Sequence, residues 1–326
     1  MSMSPDDPGA PRADVPSADV PSAVDFDWIG IDWGTSNLRA WAMDAGGSVL
    51  AQRQSDKGMG CLSQSQFAPV LLELIAPWRR PGRRVQVIAA GMVGSRQGWI
   101  EAPYSDVPTQ PLAAPPVTAP IDDAQVTVHV IPGLRQRRPA DVMRGEETQI
   151  AGFLLHNPDF DGVICLPGSH GKWARISAGE VVSFRTAMTG ELHAAIGGHT
   201  VLRHTLGMPG RDWPTGVFEE AVADGLSRPE ALAVRLFELR AEELVNGQDA
   251  GTAQARLSGL LIGAELGAMR PYWLGQQVAL IGSAELSARY TDALAAQGSS
   301  PIQTRGDAMT RAGLLAARRN LEETSR

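Results

Sequence analysis

The chain has 326 residues, enough for one large domain or for two lobes of about 150 residues each. Hydrophobic residues make up 43% and charged residues 20%, which excludes a wholly disordered, collagen-like or coiled-coil protein. Twenty-nine Lys and Arg against 36 Asp and Glu give a net charge of −7, which argues against a nucleic-acid or anionic-membrane partner, so any anionic ligand must be captured locally.

The first 25 residues carry five prolines and a near-duplicated Ala-Asp-Val-Pro-Ser-Ala, and are expected to form a disordered tail. From Phe26 on, Trp28–Ile31, Leu38–Met43 and Ser48–Gln52, separated by polar turns, predict a three-stranded antiparallel meander. A helix is expected over 64–79, a strand over Val85–Ala90, a proline-rich passage at 103–120 and a strand over Val126–Ile131. The second half opens with a helix from Glu146 to His156 and a strand at Gly162–Leu166. The hairpin Trp173–Ile176 and Val181–Arg185 then repeats the earlier theme. Helices are expected across 190–206, 217–225, 228–245 and 252–269, then a strand at Val278–Ile281 and helices over 284–297 and 307–321. Hairpins followed by βα alternation mean an α/β fold with mixed sheets, and the similarity between the halves is topological.

Only Cys61 and Cys165 are present, too few for a disulfide framework or a thiolate metal site, and both are expected as buried apolar thiols in a reducing, cytoplasmic protein. No stretch approaches the roughly 18 apolar residues of a membrane helix.

Three glycine turns could hold an anion. In Ile29–Arg39 an apolar strand delivers Asp32 to a turn of Gly34, Thr35, Ser36 and Asn37, whose N–H groups and hydroxyls can converge on phosphate. A carboxylate facing such a cradle calls for Mg²⁺ between the two. In Leu166–Trp173, Gly168 and Ser169 could meet phosphate oxygens, with Lys172 supplying a cation and His170 a further polar group. At Leu280–Leu286 a strand passes through Gly282 and Ser283 into a helix, whose N-terminus suits a phosphate or a nucleobase. Each turn alone is also an ordinary connection. Between the first two lie Glu146 and Glu147, at a helix start where the dipole alone would stabilise them and where a hydroxyl-activating base would also be wanted.

The order of these turns resembles the actin/hexokinase/Hsp70 superfamily, and the closing helix, with Ala308, Ala312 and Gly313, is similar to its returning helix. Within that superfamily the strings Ile31–Trp41, Ala90–Ser95, Met143–Gln149, Pro167–His170, Phe184–Thr186 and Leu257–Glu265 resemble the 2-dehydro-3-deoxygalactonokinases, over about residues 28 to 320. The resemblance implies a two-lobed actin-like (ribonuclease H-like) fold with ATP in the interlobe cleft. The expected division is a lobe at 26–144, a second at 145–306, and a helix over 307–326 returning to the first. It also implies transfer of the ATP γ-phosphoryl group to the 6-hydroxyl of 2-dehydro-3-deoxy-D-galactonate in D-galactonate catabolism. The alternatives are a kinase of a related sugar acid such as 2-dehydro-3-deoxygluconate, or a non-catalytic nucleotide- or sugar-binding regulator.

On this basis Asp32 orients Mg²⁺, while Gly34–Asn37 and Gly168–Ser169 bind phosphates. Glu147, then Glu146, is the preferred base, with His170 in reserve. Arg144 and Arg185 are the candidates for the substrate carboxylate, with Ser95 and Trp99 beside the sugar. A homodimer is compatible with all of this.

Overall fold

The computed structural model describes residues 25–207 and 213–324, so the expected tail, apart from Asp25, lies outside the described residues. The opening meander forms where alternation predicts it: β1 (Trp28–Trp33), β2 (Leu38–Met43) and β3 (Val49–Ser55) pair antiparallel. Helix α1 (Phe67–Ile75) is shorter than expected because 3-10 turns at Gln64–Gln66 and Ala76–Trp78 take over both ends. Strand β4 (Val85–Gly91) runs parallel to β1. It is followed by β5 (Tyr104–Asp106), β6 (Val117–Thr118), β7 (Val126–Val130), β8 (Gly133–Arg137) and β9 (Ala140–Met143). The first sheet has the order β3-β2-β1-β4-β7-β6, and β5-β8-β9 form a small separate sheet.

Helix α2 (Glu146–His156) leads into β10 (Gly162–Leu166), β11 (Gly171–Ser177) and β12 (Glu180–Ala187). Five helices come next: α3 (Thr189–His199), α4 (Arg203–Leu206), α5 (Thr215–Ser227), α6 (Leu232–Asn246) and α7 (Ala250–Ala268). The helix expected over 190–206 is broken at Thr200, whose backbone is extended. The one expected from 228 starts later, because Pro229 opens a 3-10 turn. Short α8 (Arg270–Trp273), β13 (Val278–Gly282), α9 (Ala284–Ala295), β14 (Ile302–Arg305) and α10 (Gly306–Thr324) complete the chain.

The second sheet has the order β12-β11-β10-β13-β14. In both sheets an antiparallel meander is extended by two parallel strands on its first-strand side, β4 and β7 in one, β13 and β14 in the other. This duplicated plan is the two-lobed α/β architecture of the actin-like fold.

Strand periodicity decides what covers each sheet. On β1, Ile29, Ile31 and Trp33 face Phe67 and Leu71 of α1, whereas Trp28 packs with Leu314 and Leu315 of α10. On β10, Val163 and Cys165 join Phe218, Ile262 and Leu294 of α5, α7 and α9, while Ile164 and Leu166 meet Ile150 and Phe153 of α2. Helices α2 and α10 cross at glycines. A side chain on Gly313 would run into the Thr148 carbonyl, and one on Gly152 would come within 2.8 Å of the Gly313 nitrogen. That contact joins the helix entering the second sheet to the one returning to the first. Cys165 is buried as expected, but Cys61 is exposed, because it ends a surface 3-10 turn that buries no side chain. Among the described residues no helix is long and apolar enough to cross a membrane.

Candidate active site

The first glycine turn closes the β1–β2 hairpin, where the Gly34 N–H donates to the Asn37 carbonyl at 2.9 Å. It is braced from behind by the segment after β3: the Met59 N–H donates to Gly34 O at 2.9 Å and the Gly60 N–H to Thr35 O at 2.8 Å. This brace requires Gly58, since a β-carbon there would strike the Thr35 carbonyl and lie 2.6 Å from the Asn37 nitrogen. Braced in this way, Thr35, Ser36 and Asn37 keep their side chains exposed.

Asp32 alternates onto the same face as Trp28 and ends that row at the cleft. Its carboxylate is ion-paired with Arg39, its cross-strand neighbour. Burial raises its pKa, the Arg39 charge and hydrogen bond oppose that rise, and the nearby Glu146 charge adds to it. Behind Asp32 two glycines in left-handed conformations meet. Gly91 has φ +96° and Gly145 φ +103°, and a β-carbon on Gly145 would lie 3.3 Å from the Gly91 Cα. The start of α2 thereby reaches the end of β4.

A cleft of about 870 Å³ opens over the turn, lined by Asp32, Gly34–Asn37, Arg39 and Gln54–Asp56 from the first sheet and by Ser169 from the second. The two predicted turns therefore face one space. Ser169 is held there by α3, whose Glu191 N–H donates to its carbonyl at 3.0 Å and whose Gly190 packs against the Gly168 carbonyl. His170 is exposed, does not line the cleft, and pairs with Glu191. Gly168, the neighbour of Ser169, lines a separate smaller cavity of about 120 Å³, with Thr189, Leu286, Arg289 and Tyr290. Gly282 and Ser283 line neither space. Ser283 caps α9 by accepting from the Leu286 N–H at 3.3 Å, and that helix supplies side chains to the smaller cavity.

Lys172, expected to reach phosphate, is instead buried. Its Nζ is ion-paired with Glu146 Oε1 at 3.0 Å and donates to the His170 carbonyl at 2.9 Å. Glu146 and Glu147 diverge, as helical neighbours must. Glu146 accepts from the Arg144 N–H at 3.0 Å through its other oxygen, and its side chain stays 23% exposed. Glu147, the base preferred from sequence, is fully enclosed. One oxygen accepts from the Gly145 N–H at 2.7 Å and the other from Thr148 Oγ1 at 2.9 Å, so it presents nothing to the cleft. Burial, helped by the Glu146 charge, pushes its pKa up to about 7.

Arg144 is 8% exposed. Its Nη2 donates to the Ala102 carbonyl at 2.7 Å and its guanidinium lies 4.3 Å from the centre of the Tyr104 ring, while its Nε and Nη1 are buried without an acceptor. The buried Ser95 hydroxyl is likewise unpartnered. Arg185 is half-buried on β12, opposite Trp173, and does not line the cleft. Trp99 was expected beside the sugar. It stacks on Phe67 in the core and donates its N–H to the Pro120 carbonyl at 3.0 Å, which leaves it nothing to offer a ligand.

Three features escaped the sequence. Arg39 and Gln54 share a cross-strand row with Asp32, which the meander register would have revealed. Glu265 on α7 is buried and accepts from Trp173 Nε1 and Tyr290 Oη, each at 2.7 Å, and from Thr189, tying β11, α9 and α3 together behind the second turn. A lone Glu in an apolar helix was its only signal.

Duplicated mixed sheets with two glycine turns facing each other across a cleft are the build of an actin-like phosphotransferase. The model of a family described as 2-keto-3-deoxy-galactonokinase matches residues 32–317. A 2-dehydro-3-deoxygalactonokinase of Escherichia coli (strain K12) is 36% identical over 88% of this chain and 96% of its own length. A protein of Rhizobium meliloti (strain 1021), assigned the same activity as DgoK1, is 38% identical over 89% of this chain and 95% of its own. A crystal structure from Sinorhizobium meliloti, assigned likewise, superposes with a TM-score of 0.83 at 37% identity, covering 90% of this chain and 96% of that one. The chain belongs to the 2-keto-3-deoxy-galactonokinase family.

Proposed function

We propose that the protein transfers the γ-phosphoryl group of ATP to the 6-hydroxyl of 2-dehydro-3-deoxy-D-galactonate, as a cytoplasmic step of D-galactonate catabolism. The class and acceptor follow from the family, and the observation that carries the chemistry is the single cleft lined by both Asp32 and Ser169. Phosphoryl transfer needs alignment and charge neutralisation more than covalent chemistry. The turn at Gly34–Asn37 offers backbone N–H groups and exposed hydroxyl and amide side chains to the phosphates from one side, and the Gly168–Ser169 turn offers Ser169 from the other. Ser169 lines the cleft and its neighbour Gly168 the smaller cavity, so a nucleotide with its phosphates in the cleft would extend its base toward Leu286 and Arg289. Residues 26–144 and 145–306 act as the lobes that close over it, excluding water until the acceptor is bound.

Asp32, the carboxylate that ends β1 in the cleft, is an oxygen donor of the kind Mg²⁺ takes and is the residue that would hold it. When bound, that ion would supply positive charge to the phosphates being transferred. Glu146, whose side chain stays 23% exposed and whose charge reaches Asp32, receives the hydroxyl proton; Glu147 is enclosed and serves the helix start instead. Arg144 and Ser95 hold buried donors without partners, which suits them to the substrate carboxylate.

The test is a coupled ADP-release assay with 2-dehydro-3-deoxy-D-galactonate, its gluconate epimer and other sugar acids, followed by locating the phosphate on the product. Preferred turnover of the galactonate with phosphate on O6 is expected. A stronger preference for another acid, or phosphate on another oxygen, would overturn the assignment.

A further inference from the structure

We infer that Lys172 is a positioning residue, one that fixes Glu146 by a buried ion pair in the orientation that receives the acceptor proton, and that it is no ligand of the phosphates. This role rests on Glu146 acting as the base. The Lys172 ammonium is engaged inside the protein, in an ion pair with Glu146 Oε1 at 3.0 Å and in a hydrogen bond donated to the His170 carbonyl at 2.9 Å. Its side chain is 4% exposed, so it has almost no surface to present to a triphosphate. The second oxygen of Glu146 is held by the Arg144 N–H at 3.0 Å. The carboxylate is thus fixed from two directions, by the turn that starts its own helix and by β11 of the second sheet, while 23% of the side chain remains open.

The first sheet has a counterpart. Arg39 is the second residue of β2 and Lys172 the second residue of β11, and each pairs with a carboxylate near the cleft, Arg39 with Asp32 and Lys172 with Glu146. Asp32 and Glu146 are close enough for the charge of one to raise the pKa of the other. Two like charges this near each other each need a cation to hold them, and the two hairpins supply one apiece. Ser169 lies three residues before Lys172 on the same hairpin, so one element sets both the phosphate-facing turn and the direction of the base.

A double-mutant cycle on the full-length enzyme tests this, with kcat and the KM for ATP measured for Lys172→Met, Glu146→Gln and the double variant. Glu146→Gln should lower kcat by about 10²-fold, and near-normal turnover would remove the base and the positioning role together. Lys172→Met should lower kcat by a similar factor with the KM for ATP within about twofold of the parent, and the double variant should be no worse than about twofold below Glu146→Gln alone. Losses that multiply, or a KM for ATP raised about tenfold or more, would overturn the positioning role while leaving the base in place. If Lys172→Met fails to fold because its loss strands a buried carboxylate, the double variant decides by the same comparison with Glu146→Gln.

Discussion

The two glycine turns occupy equivalent places, each between the first and second strands of a meander, yet the sequence spends them differently. The turn after β1 is braced by backbone bonds from residues 58–60 and leaves Thr35, Ser36 and Asn37 exposed. The turn after β10 is braced by a helix, α3, and by the buried Glu265 behind it, and it turns its cation inward to a neighbouring acid. Duplicated topology therefore does not mean duplicated side-chain roles: one hairpin mainly presents donors, and the other turns its lysine inward to hold Glu146.

The sharpest way to break this comparison is to disturb each brace without touching the cleft. Gly58→Ala pushes a methyl into the Thr35 carbonyl, and Gly190→Ala pushes one into the Gly168 carbonyl with Ser169 Cα only 2.8 Å away. Both should lower kcat/KM for ATP by about 10²-fold or more, since an ångström of misplacement has that effect on aligned reactants. Gly190→Ala should also lower kcat at saturating ATP more than Gly58→Ala does, because its turn leads directly into Lys172. Equal losses of kcat would erase the distinction between the turns.

Glu147 carries a pH signature of its own. Glu147 is raised from 4.5 to about 7, so the native state keeps a proton that the unfolded chain releases between those values. Its contribution is fully present below about 4.5 and is lost as pH rises through 7, by roughly 3 kcal/mol in all. Glu147→Gln, which cannot ionise, should therefore gain in Tm relative to the parent between pH 5 and pH 8. A constant difference would mean that Glu147 is not held protonated. A smaller effect is expected at Arg144, where Arg144→Ala should raise the KM for the sugar acid about tenfold with the KM for ATP unchanged. An unchanged sugar-acid KM would take the guanidinium out of substrate binding.

The strands that carry these sites were legible because alternation and polar turns mark them plainly. Strand β14 was not, being four residues on the sheet edge with Ile302 exposed, and neither was the β8–β9 hairpin, whose Leu-Arg-Gln-Arg run puts charges where a core pattern would be sought. Asp32 could be read from its place at the end of an apolar strand. The choice between Glu146 and Glu147 could not, because it depends on Gly145 at φ +103° turning its N–H onto Glu147. Trp99 and Lys172 misled for one shared reason: residue type suggests a ligand contact, while burial assigns the side chain to protein partners.

The central claim is that one nucleotide is gripped by both hairpins at once. A crystal structure with Mg²⁺ and a non-hydrolysable ATP analogue tests it most directly. The account predicts β- and γ-phosphate oxygens within hydrogen-bonding distance of both Gly34–Asn37 and Gly168–Ser169, with Lys172 still on Glu146. A triphosphate bound to only one of the two turns, or Lys172 swung onto the γ-phosphate, would contradict it.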